Sequence, residues 1–171
     1  WQLAVSEGRS RRLDRRAEAG RGRVLSIRTG HSDVLATGLE EPIGVAVTAE
    51  GDCLVSEEGK GRVIKLKGNN VETLIDGLLK PQGLLVLGDL LYIVDVGTQE
   101  LVEFDLTKKR RRTIAQCLPV GAPIGIVPKL LNGIPPLSGP MGPFAGITAG
   151  SDGTLYLSGD AEGSVLAVYP S

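Results

Sequence analysis

Three segments of the chain restate one pattern. A Pro-x-Gly or Pro-x-x-Gly step opens a short apolar strand, a turn follows, and a second apolar run ends in a carboxylate. The segments run from Pro42-Ile-Gly44-Val-Ala-Val to Leu54-Val-Ser-Glu57, from Pro81-Gln-Gly83-Leu-Leu-Val to Tyr92-Ile-Val-Asp95, and from Pro143-Phe-Ala-Gly146-Ile-Thr to Leu155-Tyr-Leu-Ser-Gly-Asp160. A unit of this size cannot bury its own apolar face and has to stack on its neighbours, so the period dictates a repeat architecture.

Within each unit the apolar residues recur with period two rather than 3.6, which predicts short strands and almost no helix. The 24 glycines and 10 prolines, against 4% aromatic residues, suit such strands joined by tight turns. Four strands are expected at Gly44–Thr48, Cys53–Glu57, Arg62–Lys67 and Glu72–Ile75, and four more at Gly83–Leu87, Leu91–Asp95, Leu101–Asp105 and Thr113–Ala115. The ends read out of phase with this repeat. The chain is expected to enter on a second strand, Leu3–Glu7, followed by a third at Arg23–Ile27 and a fourth at Asp33–Ala36, and to leave on a third strand, Val165–Tyr169.

Four-stranded units of roughly 40 residues are the blades of a β-propeller. The fold class is therefore all-β, a propeller with about three and a half blades. The units are a partial blade over 1–41, blades over 42–80 and 81–118, an insertion over 119–142 and a partial blade over 143–171. Out-of-phase ends suggest an excised piece of a ring of about five to seven blades, or a protomer that closes a ring with a partner. If the piece stood alone, its open edge strands would invite self-association.

The steps Pro42-Ile-Gly44-Val-Ala-Val, Gly51-Asp-Cys-Leu-Val-Ser-Glu57 and Gly61-Arg62-Val-Ile resemble NHL-type repeats and their relatives, the gluconolactonase-like and strictosidine synthase-like propellers. The resemblance covers nearly the whole chain, and no Trp-Asp dipeptide points to WD40 blades instead. It implies a mostly six-bladed ring, in a group whose members range from lactonases and lyases to modules that bind a ligand or a protein, so fold alone does not select a function. The lactonases of this resemblance hold a divalent metal with acid and asparagine side chains lining the channel. The asparagines of this chain are Asn69, Asn70 and Asn132, the first two in a turn expected on the opposite face.

In a propeller the ends of second strands and of fourth strands share one face. That places Glu7, Glu57, Asp95 and Asp160 together, with both insertions beside them. The first insertion, Gly8 to Gly22, is dense in arginine. Its bland reading is a solvated loop, and its functional reading is a docking loop in which Arg11, Arg12, Arg15 and Arg16 receive an anionic ligand or partner. The second, Leu118 to Pro143, is apolar and rich in Pro and Gly. It is expected to lie across the channel mouth or against a partner, with Val127, Leu130, Leu131 and Asn132 as contact candidates.

Two functional readings stand side by side. In one, the chain is a non-catalytic scaffold that needs no cofactor and binds a protein or small-molecule ligand on that face. In the other, Glu7, Glu57, Asp95 and Asp160 hold calcium or another divalent cation for a hydrolase, lactonase or lyase. The competing structural reading of the acids is that each fastens backbone N–H groups at a turn. A net charge of −1 and a basic segment without interleaved aromatics speak against nucleic acid, and no apolar run suits a membrane span. The single histidine, His31, is expected to be a solvated turn residue. Cys53 falls on an apolar strand position and should be a small buried hydrophobe, while Cys117 aligns with Gly38 and Gly77 at the exit from a fourth strand. A disulfide between them is not expected. Arg23 and Arg62 are expected to bridge neighbouring blades or satisfy turn carbonyls.

Overall fold

The structure, a computed structural model, describes residues 4–5, 14–28, 31–68, 70–122, 126 and 142–169. They form a succession of antiparallel sheets in chain order. The first contains β1 (Ala4–Val5), β2 (Asp14–Glu18), β3 (Arg23–Arg28) and β4 (His31–Ala36). The second contains β5 (Pro42–Val47), β6 (Cys53–Glu57), β7 (Arg62–Lys67) and β8 (Asn70–Ile75). The third contains β9 (Pro81–Leu87), β10 (Leu90–Asp95), β11 (Glu100–Asp105) and β12 (Arg110–Ala115). The last is three-stranded, with β13 (Ile147–Ala149), β14 (Leu155–Gly159) and β15 (Ser164–Val168). No α-helix occurs among the described residues. The architecture is a partial β-propeller, as the repeat requires.

The predicted strands Cys53–Glu57 and Arg62–Lys67 are observed with the expected limits. The phase at the start of the chain differs from expectation. The segment around Ala4–Val5 is a first strand, paired antiparallel with β2 through Ala4↔Arg15 and Val5↔Asp14. The second strand is Asp14–Glu18, inside what the sequence reads as an arginine-rich loop. A strand written Asp-Arg-Arg-Ala-Glu lacks apolar alternation, yet it pairs over its whole length with β3. Neighbouring strands supply the periodicity that it lacks.

Because β-strand side chains alternate between faces, each sheet has one face toward the preceding blade and one toward the next. Three apolar clusters fill the junctions. Val24 of the first sheet meets Val45, Cys53, Val55 and Ile64 of the second. Leu54 and Val63 of the second meet Leu84, Leu91, Ile93 and Val102 of the third. Tyr92, Val94 and Leu101 of the third meet Ile147, Leu155 and Leu157 of the fourth. The inner strands approach so closely that a Cβ on Gly83 would lie 2.5 Å from the Ala145 carbonyl oxygen. That contact is why the Pro-x-Gly step needs its glycine.

Candidate functional site

The linkers that leave fourth strands meet the ends of second strands on one face, and the repeating acids sit at that meeting. Glu57 closes β6 with its carboxylate wholly buried. Oε1 accepts the Glu40 N–H at 2.8 Å and lies 3.6 Å from Lys60 Nζ, and Oε2 accepts from Arg62 Nε at 2.6 Å. Burial alone would raise its pKa, but the Glu40 N–H, the Arg62 guanidinium and the Lys60 ammonium together hold it below the ordinary carboxylate value. Asp95 closes β10 and accepts from the backbone N–H groups of Leu79 at 2.8 Å, Lys80 at 2.7 Å and Gly97 at 3.1 Å. In the fourth sheet Gly159 occupies the strand-end position, and Asp160, one residue later, accepts the Gly121 N–H at 2.8 Å through Oδ1. Its Oδ2 is buried with no hydrogen-bond partner among the described residues.

Each of these acids therefore clips the linker that enters its own blade. The first sheet has a counterpart that the sequence reading passed over. Glu18 closes β2 and pairs with Arg23, as Glu57 pairs with Arg62. The signal was present in Glu18-Ala-Gly-Arg-Gly22-Arg23, which repeats Glu57-Glu-Gly-Lys-Gly61-Arg62. Both segments make a one-turn 3-10 helix capped by a glycine in the left-handed region, Gly22 at φ 56° and Gly61 at φ 59°. Arg23 and Arg62 thus bind the acid of their own blade and do not bridge neighbouring blades.

The expected site residues are dispersed rather than gathered. Arg15 and Arg16 stand on β2, not on a loop, and point to opposite faces of the first sheet. Arg15 faces the second blade and donates to the Gly51 carbonyl at 3.3 Å. Arg16 lies opposite Leu25 on the other face. Arg11, Arg12, Glu7, Val127, Leu130, Leu131 and Asn132 lie outside the described residues. At the start of the expected second insertion, Leu118 and Val120 are buried in the junction between the third and fourth sheets. They belong to the blade linker, and the departure from the repeat begins after Gly121.

A hard cation needs several converging oxygen lone pairs. Glu57 and Asp95 do not fit that requirement, because their oxygens already accept from the linker N–H groups and from Arg62. Asp160 retains one uncommitted oxygen, which by itself is no donor set. Among the described residues no group of three or more His, Cys, Asp or Glu side chains is arranged to hold a metal ion. His31 begins β4, is exposed and bonds Asp33 Oδ1 at 2.8 Å through Nε2.

One residue of this face was not singled out from the sequence. Leu79, at the position that Glu40 occupies one repeat earlier, lies over Gly97 and is 59% exposed. Ile126, on the segment joining the third sheet to the fourth, is 60% exposed. Gln82 of β9 is buried. Its Oε1 accepts the Ala145 N–H at 2.9 Å and its Nε2 donates to Glu58 Oε2 at 2.9 Å, tying three consecutive blades together. On the opposite face the hairpin turns of the second and third sheets form a shallow polar crevice lined by Thr48, Lys65, Asp89 and Lys109. Lys65 is already paired there with Asp52.

No protein-family model matches the chain, and no curated protein matches it in sequence. Solved structures do. A gluconolactonase from Xanthomonas campestris is similar at 17% identity and a TM-score of 0.62, over 99% of this chain and 75% of that one. A virginiamycin B lyase from Staphylococcus aureus is similar at 10% identity and a TM-score of 0.60, over 96% of this chain and 54% of that one. A structure of a nidogen/laminin complex is similar at 18% identity and a TM-score of 0.55, over 64% of this chain and 45% of that one. These likenesses establish the fold, a β-propeller. The chain spans about half the length of the lyase and the nidogen/laminin chain that it matches.

Proposed function

We propose that this chain is a non-catalytic propeller scaffold that binds a protein partner on the face where the blade linkers meet the second-strand acids. The observation that carries the reading is the division of labour on that face. Glu57 and Asp95 are committed to holding linkers, while Leu79, on the linker that Asp95 holds, presents a large apolar side chain to solvent, and Ile126 on the segment joining the third sheet to the fourth is also exposed. Scattered surface apolar residues need no explanation, but an exposed leucine on the linker face, in a chain that also carries an apolar, Pro-rich and Gly-rich insertion, is suited to contact with another protein. The similarity to a nidogen/laminin complex, a protein assembly, supports the same direction. The similarity to a gluconolactonase supplies the alternative, a hydrolase dependent on a divalent cation.

The test has two arms. The chain and its Leu79→Asp, Ile126→Asp double variant are each used to capture protein from an extract of the source cells. A partner retained by the first and lost by the second is the expected result. In parallel, glucono-lactone hydrolysis is followed with calcium, manganese, zinc or magnesium. Cation-dependent turnover that disappears in Glu57→Gln or Asp95→Asn, with folding unchanged, would overturn the scaffold reading.

A further inference from the structure

We propose that the outer edge of the third sheet, strand β12, takes up an acidic protein segment in extended form, which pairs with it as a fifth strand. The argument starts from a concentration of charge at one position of the repeat. Residues 108–112 read Lys-Lys-Arg-Arg-Arg, so 5 of the 19 basic side chains are consecutive, and the other 14 are outweighed by 20 acidic ones. The repeat supplies an internal control. Strands β4, β8 and β12 are fourth strands of successive sheets, each six residues long with its first four residues exposed. Each is the outermost strand of its sheet. For β12, which a further sheet follows, that edge is set by the order of strands within its own blade. The three strands open His31-Ser-Asp33, Asn70-Val-Glu72 and Arg110-Arg-Arg112. Charge on an outer strand discourages edge-to-edge pairing, yet β4 and β8 hold the same place with one acid each and no arginine. Protection of the edge therefore does not call for three.

Local contacts account for only part of this charge. Lys108 pairs with Asp105 at 3.3 Å, and Arg112 pairs with the buried Glu103 at 2.7 Å. Lys109 lies 6.0 Å from the centre of the Phe104 ring. Arg111 donates from Nη1 to the Asp76 carbonyl of the preceding blade at 3.2 Å, a bond that orients the guanidinium without neutralising it. Neither Arg110 nor Arg111 is within ion-pair distance of a carboxylate among the described residues. Successive strand residues alternate between faces, so Arg110 and Arg111 flank the outer edge on opposite sides. Carboxylates of an added strand would stand directly across from them, the placement in which opposite charges attract across a pair. In such strand addition the main chain supplies affinity and alternate side chains supply specificity. A sulfated polysaccharide or a nucleic acid would use the charge but not the open backbone edge. The aromatic residue of this hairpin, Phe104, is moreover buried and offers no face on which a base could stack.

Fluorescence anisotropy with a labelled peptide of alternating Glu and Thr tests this on the 171-residue chain. The peptide is expected to bind at low ionic strength, and Arg110→Glu with Arg111→Glu should weaken it by about tenfold or more. Arg28→Glu with Lys67→Glu makes the same change in net charge at the corresponding hairpins of the first and second sheets, and should weaken it by less than about threefold. Arg110→Gln alone spares the bond from Arg111 to Asp76 and should weaken binding in the same direction. Binding should also slow amide hydrogen exchange within 110–115, which a contact through side chains alone would not do. A parent chain that leaves the peptide free would overturn the proposal, as would equal losses in the two double variants or unchanged exchange in β12. Heparin or single-stranded DNA held more tightly than the peptide by the same arginines would mark a polyanion patch and overturn it as well. Peptide binding should persist in the Leu79→Asp, Ile126→Asp variant, so this reading and the scaffold reading can fail separately.

Discussion

Arg62 joins the end of β6 to β8 across its own strand, with Nε donating to Glu57 Oε2 at 2.6 Å and Nη1 to Thr73 Oγ1 at 3.0 Å. Replacing Glu57 by Gln leaves a guanidinium beside a neutral group in a buried setting. The expected loss is about 2–3 kcal/mol of stability, read as a lower urea midpoint with an unchanged slope. The pH dependence follows from the lowered pKa of Glu57. A carboxylate with a folded pKa below its unfolded value contributes stability that is present above the unfolded value, about 4, and is lost as pH falls through the folded one. Urea midpoints of the parent should therefore drop more steeply below about pH 4 than those of Glu57→Gln.

Two glycines with nearly the same backbone angle should respond differently to alanine. Gly61 at φ 59° would place a Cβ 2.2 Å from the Leu78 carbonyl oxygen, whereas Gly68 at φ 58° would meet nothing within 4 Å. Gly68→Ala bears only the left-handed strain, about 1–2 kcal/mol. Gly61→Ala also forces the linker away from β7 and should cost about 3 kcal/mol or more, because the clash is with backbone and cannot be relieved by a rotamer change. Parallel thermal melts would separate them, and equal losses would argue against the steric account.

Cys117 takes φ 54° at the position where the two preceding repeats have Gly38 at φ 73° and Gly77 at φ 66°. Cys117→Gly should therefore stabilise the chain by about 0.5–1 kcal/mol, through removed strain offset in part by backbone entropy. The same variant has a chemical readout. Cys117 is exposed, whereas Cys53 is buried and its burial pushes the thiol pKa up to about 11. Thiol titration of the native chain should show one fast group, absent in Cys117→Gly, and a second only after unfolding.

The acids at the strand ends predict opposite outcomes for one chemical change. Both oxygens of Asp95 accept from backbone N–H groups, so Asp95→Asn turns an acceptor into a donor facing donors and should cost about 1–3 kcal/mol. In Asp160 only Oδ1 is engaged, and Oδ2 is buried without a partner among the described residues. Asp160→Asn keeps the bond to Gly121 and removes a poorly solvated charge, so it should be neutral or stabilising by up to about 1 kcal/mol. Chemical denaturation of both variants checks the contrast.

Much of the fold was legible because apolar alternation and glycine turns agree in the second and third units. Cys53–Glu57 shows both in its sequence and forms as expected. The first blade was misread because Asp14–Glu18 has no apolar face to announce a strand, and its order comes from pairing with Arg23–Arg28. The shared Glu-x-x-x-Gly-Arg spacing was the better guide there, since a turn geometry constrains residue type more tightly than a solvent-facing strand does. The roles of the acids were legible as a choice between fastening backbone and binding a cation. Sequence could not show which lone pairs were spoken for. Leu79 was hidden for a similar reason, because an apolar residue in a linker reads as buried until the neighbouring glycine is seen to lie beneath it.

Gly121, in the linker after the third sheet, has its N–H held by Asp160, and Ala145, before the first strand of the fourth sheet, has its N–H held by Gln82. The two ends of the stretch between them are thus fixed to different sheets, one at the turn after β14 and the other on β9. A stretch anchored in this way can change in length or composition without disturbing the strand pairing on either side. That makes it a replaceable cassette, where new specificity can be tried while the blades keep their alignment.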